Sequence, residues 1–171
     1  VLRALEEHYD FKSKLKNVKG CAGTSIGALF ALCIVLKMSY NDMISHISSL
    51  VTCMDNMTSL DISLFVTHYG LDDGSNLKRS IESIIYKCGM SGDLTLKQLY
   101  TFSEKELICV VSNISKQKYE YLSVHTYPDL KVVDAVFMSM CIPFMFAPVN
   151  FNGDFYAVSY THLRAHETFG Y

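Results

Sequence analysis

The sequence predicts a layered α/β domain with a mainly parallel sheet, and three observations carry that expectation. Helical segments, some amphipathic and some apolar all round, alternate with runs of β-branched residues. A short strand candidate at 18–22 passes straight into an apolar helix through a glycine-flanked turn. No internal repeat or linker divides the 171 residues, a length that suits one domain with a substantial core.

Each element has a local reason. "VLRALEEH" places apolar residues at 1, 2, 4 and 5, one face of a short helix. Val18 to Ala22 reads as a brief strand, and Ser25 to Met38, rich in Ala and Leu, as a buried helix. Ser39-Tyr40-Asn41-Asp42 forms a capping box that opens a helix through about Leu50. Residues 55–74 read as irregular, with a turn at "GLDDGSN". Leu77, Ile81, Ile84, Ile85 and Cys88 then recur at helical spacing up to Gly89, a clear amphipathic helix. Thr95 and Gln98 cap another short helix. "ELICVVSNI" (106–114) suits a buried strand, and "KYEYLSVHT" alternates like its neighbour. "LKVVDAVFMSM" (130–140) is helical, Pro143 and Pro148 mark a loop, and the Asn-Gly of "VNFNGDFYAV" signals a hairpin.

Composition narrows the function. Half of the chain is hydrophobic and 19% is charged, which excludes disorder. The net charge is −2, and no run of adjacent Lys and Arg exceeds two residues. No nucleic-acid partner is therefore expected. The six cysteines (Cys21, Cys33, Cys53, Cys88, Cys109, Cys141) sit among apolar neighbours and never form C-x-x-C. They point to reduced, buried thiols in a cytoplasmic compartment, with no zinc site. The longest apolar run, Ile26 to Leu36, has 11 residues, about half of the ~20 needed to span a bilayer. Val1 opens within a helical pattern and is not a methionine, so a preceding segment is expected.

One motif carries chemistry. Gly23-Thr24-Ser25-Ile26-Gly27 fits G-x-S-x-G, the strand-to-helix turn that lifts a serine oxygen clear of a sheet. The glycines avoid collision across so tight a turn. The helix start offers free N–H groups, that of Ile26 first, to an oxyanion beside the serine. The bland reading is a serine that merely caps the helix. The bare pattern arises by chance in on the order of one chain of this size in twenty. The strand before it and the helix after it favour Ser25 as a nucleophile.

At these residues the chain resembles the patatin-like phospholipase family. "VLRALEEH…VKGCAGTSIGALFAL" is similar to its front, "GLDDGSNLKRSIESII" to its middle, and "DAVFMSMCIPFMFAPVNFNGDFYAV" to its final third, in family order over residues 1–158. The resemblance implies a three-layer α/β/α fold and hydrolysis of lipid acyl esters by a serine–aspartate dyad, with no histidine between the two. Ser25 maps to the nucleophile, Ile26 to an oxyanion-hole N–H, and Gly23 and Gly27 to the flanks of the turn. A lipid acyl ester is the implied substrate, with contact at a membrane or lipid-droplet surface. No cofactor and no metal are implied. The family's glycine-rich oxyanion loop belongs upstream of Val1. Its aspartate belongs in an Asp-Gly-Gly or Asp-Gly-Ala triplet directly after "FYAV", where Ser159 stands. "SYTHLRAHET" resembles translated sequencing-adaptor read-through. The expectation is therefore a partial patatin-like domain over 1–158 followed by a non-native tail over 159–171. Its full-length parent would be active and this chain inactive.

Other residues have plainer readings. Asp154 falls in the Asn152-Gly153 turn, Asp134 on a helix face, and Asp72 and Asp73 before a helix start, where acids suit the dipole. His162 and His166 share i, i+4 spacing but lack the glutamate of H-E-x-x-H and lie in the tail. Phe137, Met138, Met140, Phe144, Met145 and Phe146 could line an acyl-chain pocket or fill the core. Two alternatives stay open: a non-catalytic lipid-surface binding or scaffolding domain, and an acyl hydrolase of the α/β-hydrolase type using His125.

Overall fold

In the computed structural model, which describes residues 17–55 and 70–159, the apolar run after Ser25 becomes a buried helix. This helix, α1 (Ile26–Val35), buries Ala28, Leu29, Ala31, Leu32, Cys33 and Val35. It follows strand β1 (Gly20–Gly23), which begins two residues later than the sequence suggests. Helix α2 (Tyr40–Asp55) runs about a turn beyond the expected end. At its start the Asp42 N–H donates to Ser39 Oγ at 3.2 Å, while the Ser39 hydroxyl donates to the Asp42 carboxylate at 2.6 Å. The short helix of residues 1–8 and the tail from Tyr160 lie outside the described residues.

Strand β2 (Gly70–Asp72) leads into the amphipathic α3 (Ser75–Lys87), whose Leu77, Ile81, Ile84 and Ile85 are buried. Helix α4 (Leu96–Ser103) starts with the expected capping box. The Gln98 N–H donates to Thr95 Oγ1 at 3.2 Å, and the Thr95 N–H donates to Gln98 Oε1 at 2.9 Å. Strands β3 (Glu106–Asn113) and β4 (Lys118–Leu122) form a hairpin. Helix α5 (Val132–Met140) is buried over most of its length. Strands β5 (Phe144–Phe146), β6 (Val149–Phe151) and β7 (Asp154–Val158) complete the described chain. The β6–β7 turn has positive φ at both Asn152 (53°) and Gly153 (82°), the pairing that a two-residue primed turn requires.

The architecture is the α/β class expected, with helices packed on a central sheet. That sheet is mixed. Among the described strands β1 pairs with β3 in parallel, but β4 and β7 pair with β3 and β6 with β7 in antiparallel fashion. For β3–β4 and β6–β7 the cause is local connection, because four-residue and two-residue turns can only return a strand antiparallel; β7 reaches β3 by a long connection. A separate parallel pair, β2 with β5, occupies stretches expected to be a turn and a loop. Helices α1 and α5 lie side by side against β3, with α3 on α5 and α2 on α3.

Candidate functional site

The register of β3 decides what meets Ser25. Cys109 pairs with Gly23 of β1 and with Leu122 of β4, so those two strands lie on opposite edges of β3. Val111 pairs with Glu120 of β4 and with Val158 of β7, so β7 also lies opposite β4. Strands β1 and β7 therefore share one edge of β3, end to end. They leave a one-residue gap at Val110. Chain leaves β1 through Thr24 and Ser25 on one side of this gap, and leaves β7 through Ser159 on the other.

Ser25 adopts φ 56° and ψ −129° between β1 and α1, a left-handed φ that costs a serine on the order of 1–3 kcal/mol. Its backbone N–H donates to both the carbonyl oxygen and the Oγ of Ser139, each at 3.1 Å. The fully buried Ser139 in turn donates its hydroxyl to the Val110 carbonyl at 2.8 Å. One side chain thus closes the gap in the edge and fixes the turn. The Gly27 and Ala28 N–H groups donate to the carbonyls of Thr24 and Ser25, closing the first turn of α1. Ser25 occupies the N-cap position, yet its hydroxyl makes no capping bond. The capping role proposed as its bland alternative is thus not the use made of its side chain. Among the described residues the Ile26 N–H has no acceptor, and it stands next to Ser25 at the positive end of the helix.

The two glycines differ. A Cβ on Gly23 would lie 2.2 Å from the carbonyl carbon and oxygen of Gly27, so no side chain fits while the helix starts where it does. A Cβ on Gly27 would meet no described atom within 4 Å. Steric necessity therefore holds for the first flank only.

The remaining candidates take structural roles. Asp154 pairs with Lys116 and accepts from Asn113 Nδ2 at 3.0 Å; its bonds to these two hold its carboxyl below the usual range. Asp134 pairs with Lys78 at 2.9 Å, tying α5 to α3. Asp72 and Asp73 accept from the Gly74 and Ser75 N–H groups at 2.6 and 2.8 Å, the turn that starts α3. His125 faces Glu106 at 3.8 Å. Glu106 pairs with Gly20 at the start of β1, whereas Ser25 follows its end, about 10 Å along the strand. The histidine of the α/β-hydrolase alternative is thus at the wrong end of the sheet. Phe137, Met138, Met140 and Phe146 are core, with Phe137 and Phe146 packed edge to face. Phe144 and Met145 are exposed, at 69% and 39%. His162 and His166 lie outside the described residues.

Two features escaped the sequence reading. Ser139 was visible only as one small polar residue in an apolar helix. Asn113, fully buried at the end of β3, donates through Nδ2 toward Glu120, Asp154 and the Tyr156 hydroxyl. Burial alone would raise the Glu120 carboxyl, but donors from Tyr127, Lys118, Asn113 and Tyr156 together hold it below the usual range. The network braces β3, β4 and β7 beyond the gap.

The family model described as patatin-like phospholipase matches residues 1–161. An uncharacterized protein of Acanthamoeba polyphaga mimivirus is 29% identical over 161 residues, covering 91% of this chain and 52% of its own length. A protein of Invertebrate iridescent virus 6, named a probable lipid hydrolase, is 25% identical over 150 residues, covering 85% of this chain and 50% of its own. The chain thus spans about half the length of the curated relatives it matches. The crystal structure of VipD from Legionella pneumophila superposes with a TM-score of 0.54 at 18% identity, over 92% of this chain and 42% of that one, a likeness of fold. With the family match running over nearly the whole sequence, this chain belongs to the patatin-like phospholipase family.

Proposed function

We propose that the protein from which this chain derives is a serine lipid acyl hydrolase, in which Ser25 attacks the ester carbonyl. The observation that carries this reading is the state of Ser25: held at positive φ by its neighbours, at a helix start, with a hydroxyl not used in capping. The Ile26 N–H stands where a developing oxyanion would need a donor. The shared edge of β3 supports position 159 as the place of the general base, because chain leaving β7 arrives at the same gap as Ser25. A carboxylate there takes the serine proton and passes it to the departing alcohol as the acyl-enzyme forms, then takes a proton from the attacking water and returns it to Ser25 as the fatty acid leaves. Ser159 cannot do this, so the chain as given is inactive on lipid esters in this reading. The substrate class puts the parent protein against a membrane or lipid-droplet surface, on the cytoplasmic side.

The test compares three forms for release of fatty acid from mixed micelles. They are the unaltered chain, a form with a glycine-rich oxyanion segment restored ahead of Val1 and Ser159-Tyr160-Thr161 replaced by Asp-Gly-Gly, and that second form with Ser25→Ala. Turnover is expected in the second form only. A folded second form that stays inert on a broad panel of acyl esters, and leaves Ser25 unlabelled by a fluorophosphonate, replaces this reading with a lipid-surface binding or scaffolding domain.

A further inference from the structure

Ser112 is 7% exposed, and its hydroxyl is buried with no hydrogen-bond partner. A hydroxyl sealed from water without a partner costs roughly 1–3 kcal/mol, so its presence in a strand otherwise rich in Val and Ile asks for a use. The register supplies one. Ser112 pairs directly with Ala157 of β7, so the two side chains leave the same face of the sheet. The paired register ends at Val111–Val158, and the next residue, position 159, continues toward Val110; extended backbone there would set its side chain on this same face, diagonal to Ser112. Diagonal partners in an antiparallel pair lie about 7–8 Å apart at the backbone and less at Cβ. A hydroxyl donor and a carboxylate span that separation. Ala157, directly opposite Ser112, carries only a methyl on this face and so does not crowd the diagonal.

We infer that the Ser112 hydroxyl is a positioning group: it donates to a carboxylate at position 159 and aims that carboxylate at Ser25. This rests on the proposal that position 159 holds the general base. With serine at 159 the donor has nothing of sufficient reach, which accounts for its missing partner. No other described side-chain oxygen or nitrogen stands buried without one.

The experiment is a double-mutant cycle between Ser112→Ala and Ser159→Asp, read by thermal unfolding and, in forms with a glycine-rich oxyanion segment restored ahead of Val1, by ester turnover. In the parent background, with serine at 159, Ser112→Ala is expected to leave the midpoint unchanged or raise it, since it removes a hydroxyl without a partner. In the Ser159→Asp background the same change breaks a charge-assisted bond and lowers the midpoint by about 5 °C. It also lowers kcat by about tenfold with KM within twofold, and Ser112→Thr restores both quantities. A Ser112→Ala effect on the midpoint that is equal in the two backgrounds overturns the inference, whatever the turnover. The Ser159→Asn form separates the two ideas, because its amide oxygen accepts the same bond but no proton. Coupling to Ser112 with no turnover is expected of it. If Ser159→Asp also couples to Ser112 yet never turns over ester or reacts with a fluorophosphonate, the hydrolase reading fails and the Ser112 contact stands. Turnover by Ser159→Asp that Ser112→Ala leaves untouched overturns the inference and keeps the hydrolase.

Discussion

The backbone N–H of Ser25 is shared between two oxygens of one residue, the carbonyl and the Oγ of Ser139, each 3.1 Å away. The residues stand 114 positions apart in sequence, and the same Ser139 hydroxyl donates to Val110 in the sheet. Ser139→Ala removes one acceptor from Ser25 and strands the Val110 carbonyl, but leaves the carbonyl bond in place. A loss of about 1–2 kcal/mol is expected, read as a lower urea midpoint at unchanged slope. No change in the midpoint would mean that the hydroxyl does not hold the turn.

The two glycines beside Ser25 separate sharply. Gly23→Ala drives a methyl into the backbone of Gly27, so the first turn of α1 must move, at an expected cost above about 3 kcal/mol. Gly27→Ala meets no described atom and replaces a helical glycine, so it should stabilise by about 0.5–1 kcal/mol. Unfolding of both variants in urea checks the contrast, and equal effects would contradict it.

Ser25 stores strain that a glycine would release. At φ 56° a Ser25→Gly change relieves on the order of 1–3 kcal/mol and gives back part through chain entropy. The expected net is a midpoint roughly 2–4 °C higher, while Ser25→Ala, which keeps the strained φ, stays near the parent. In the form with the restored oxyanion segment and Asp-Gly-Gly at 159–161, both changes should abolish ester turnover. Calorimetry that ranks the alanine form above the glycine form would sink the strain argument.

The buried thiols make the protein alkali-sensitive. Burial pushes Cys33 and Cys109 up to about 12 and Cys141 up to about 11. In the unfolded chain they ionise near 8.5. Above that pH the unfolded state holds fewer protons than the native state, so stability falls as pH rises. The decline begins near pH 8.5–9 and ends as the folded thiols ionise, with a slope approaching about 1.4 kcal/mol per pH unit for each thiol. Urea midpoints between pH 8 and 11 should fall accordingly, and Cys109→Ala should remove one thiol's share of the slope.

The sequence by itself determined every element whose pattern is local. Leu77, Ile81, Ile84 and Ile85 defined α3, Thr95 and Gln98 placed the start of α4, and Asn152-Gly153 placed the β6–β7 turn, because spacing, caps and turn residues act within a few positions. It also singled out Ser25, since a serine between glycines at a strand-to-helix junction is a local pattern too. The three-residue strands β2 and β5 were not legible, because strands that short carry no periodicity and form only where a distant partner is supplied. Nor was the mixed sheet, which follows from which edge of β3 each strand takes. Only the tertiary structure decided that β1 and β7 meet end to end on one edge, that Ser139 fills the gap at Val110, and that Ser112 and Ala157 share a face. Those relations join segments far apart in sequence, 114 positions in the case of Ser25 and Ser139, and the free energy that selects them is the packing of α1 and α5 on β3, not the preference of any single stretch of chain.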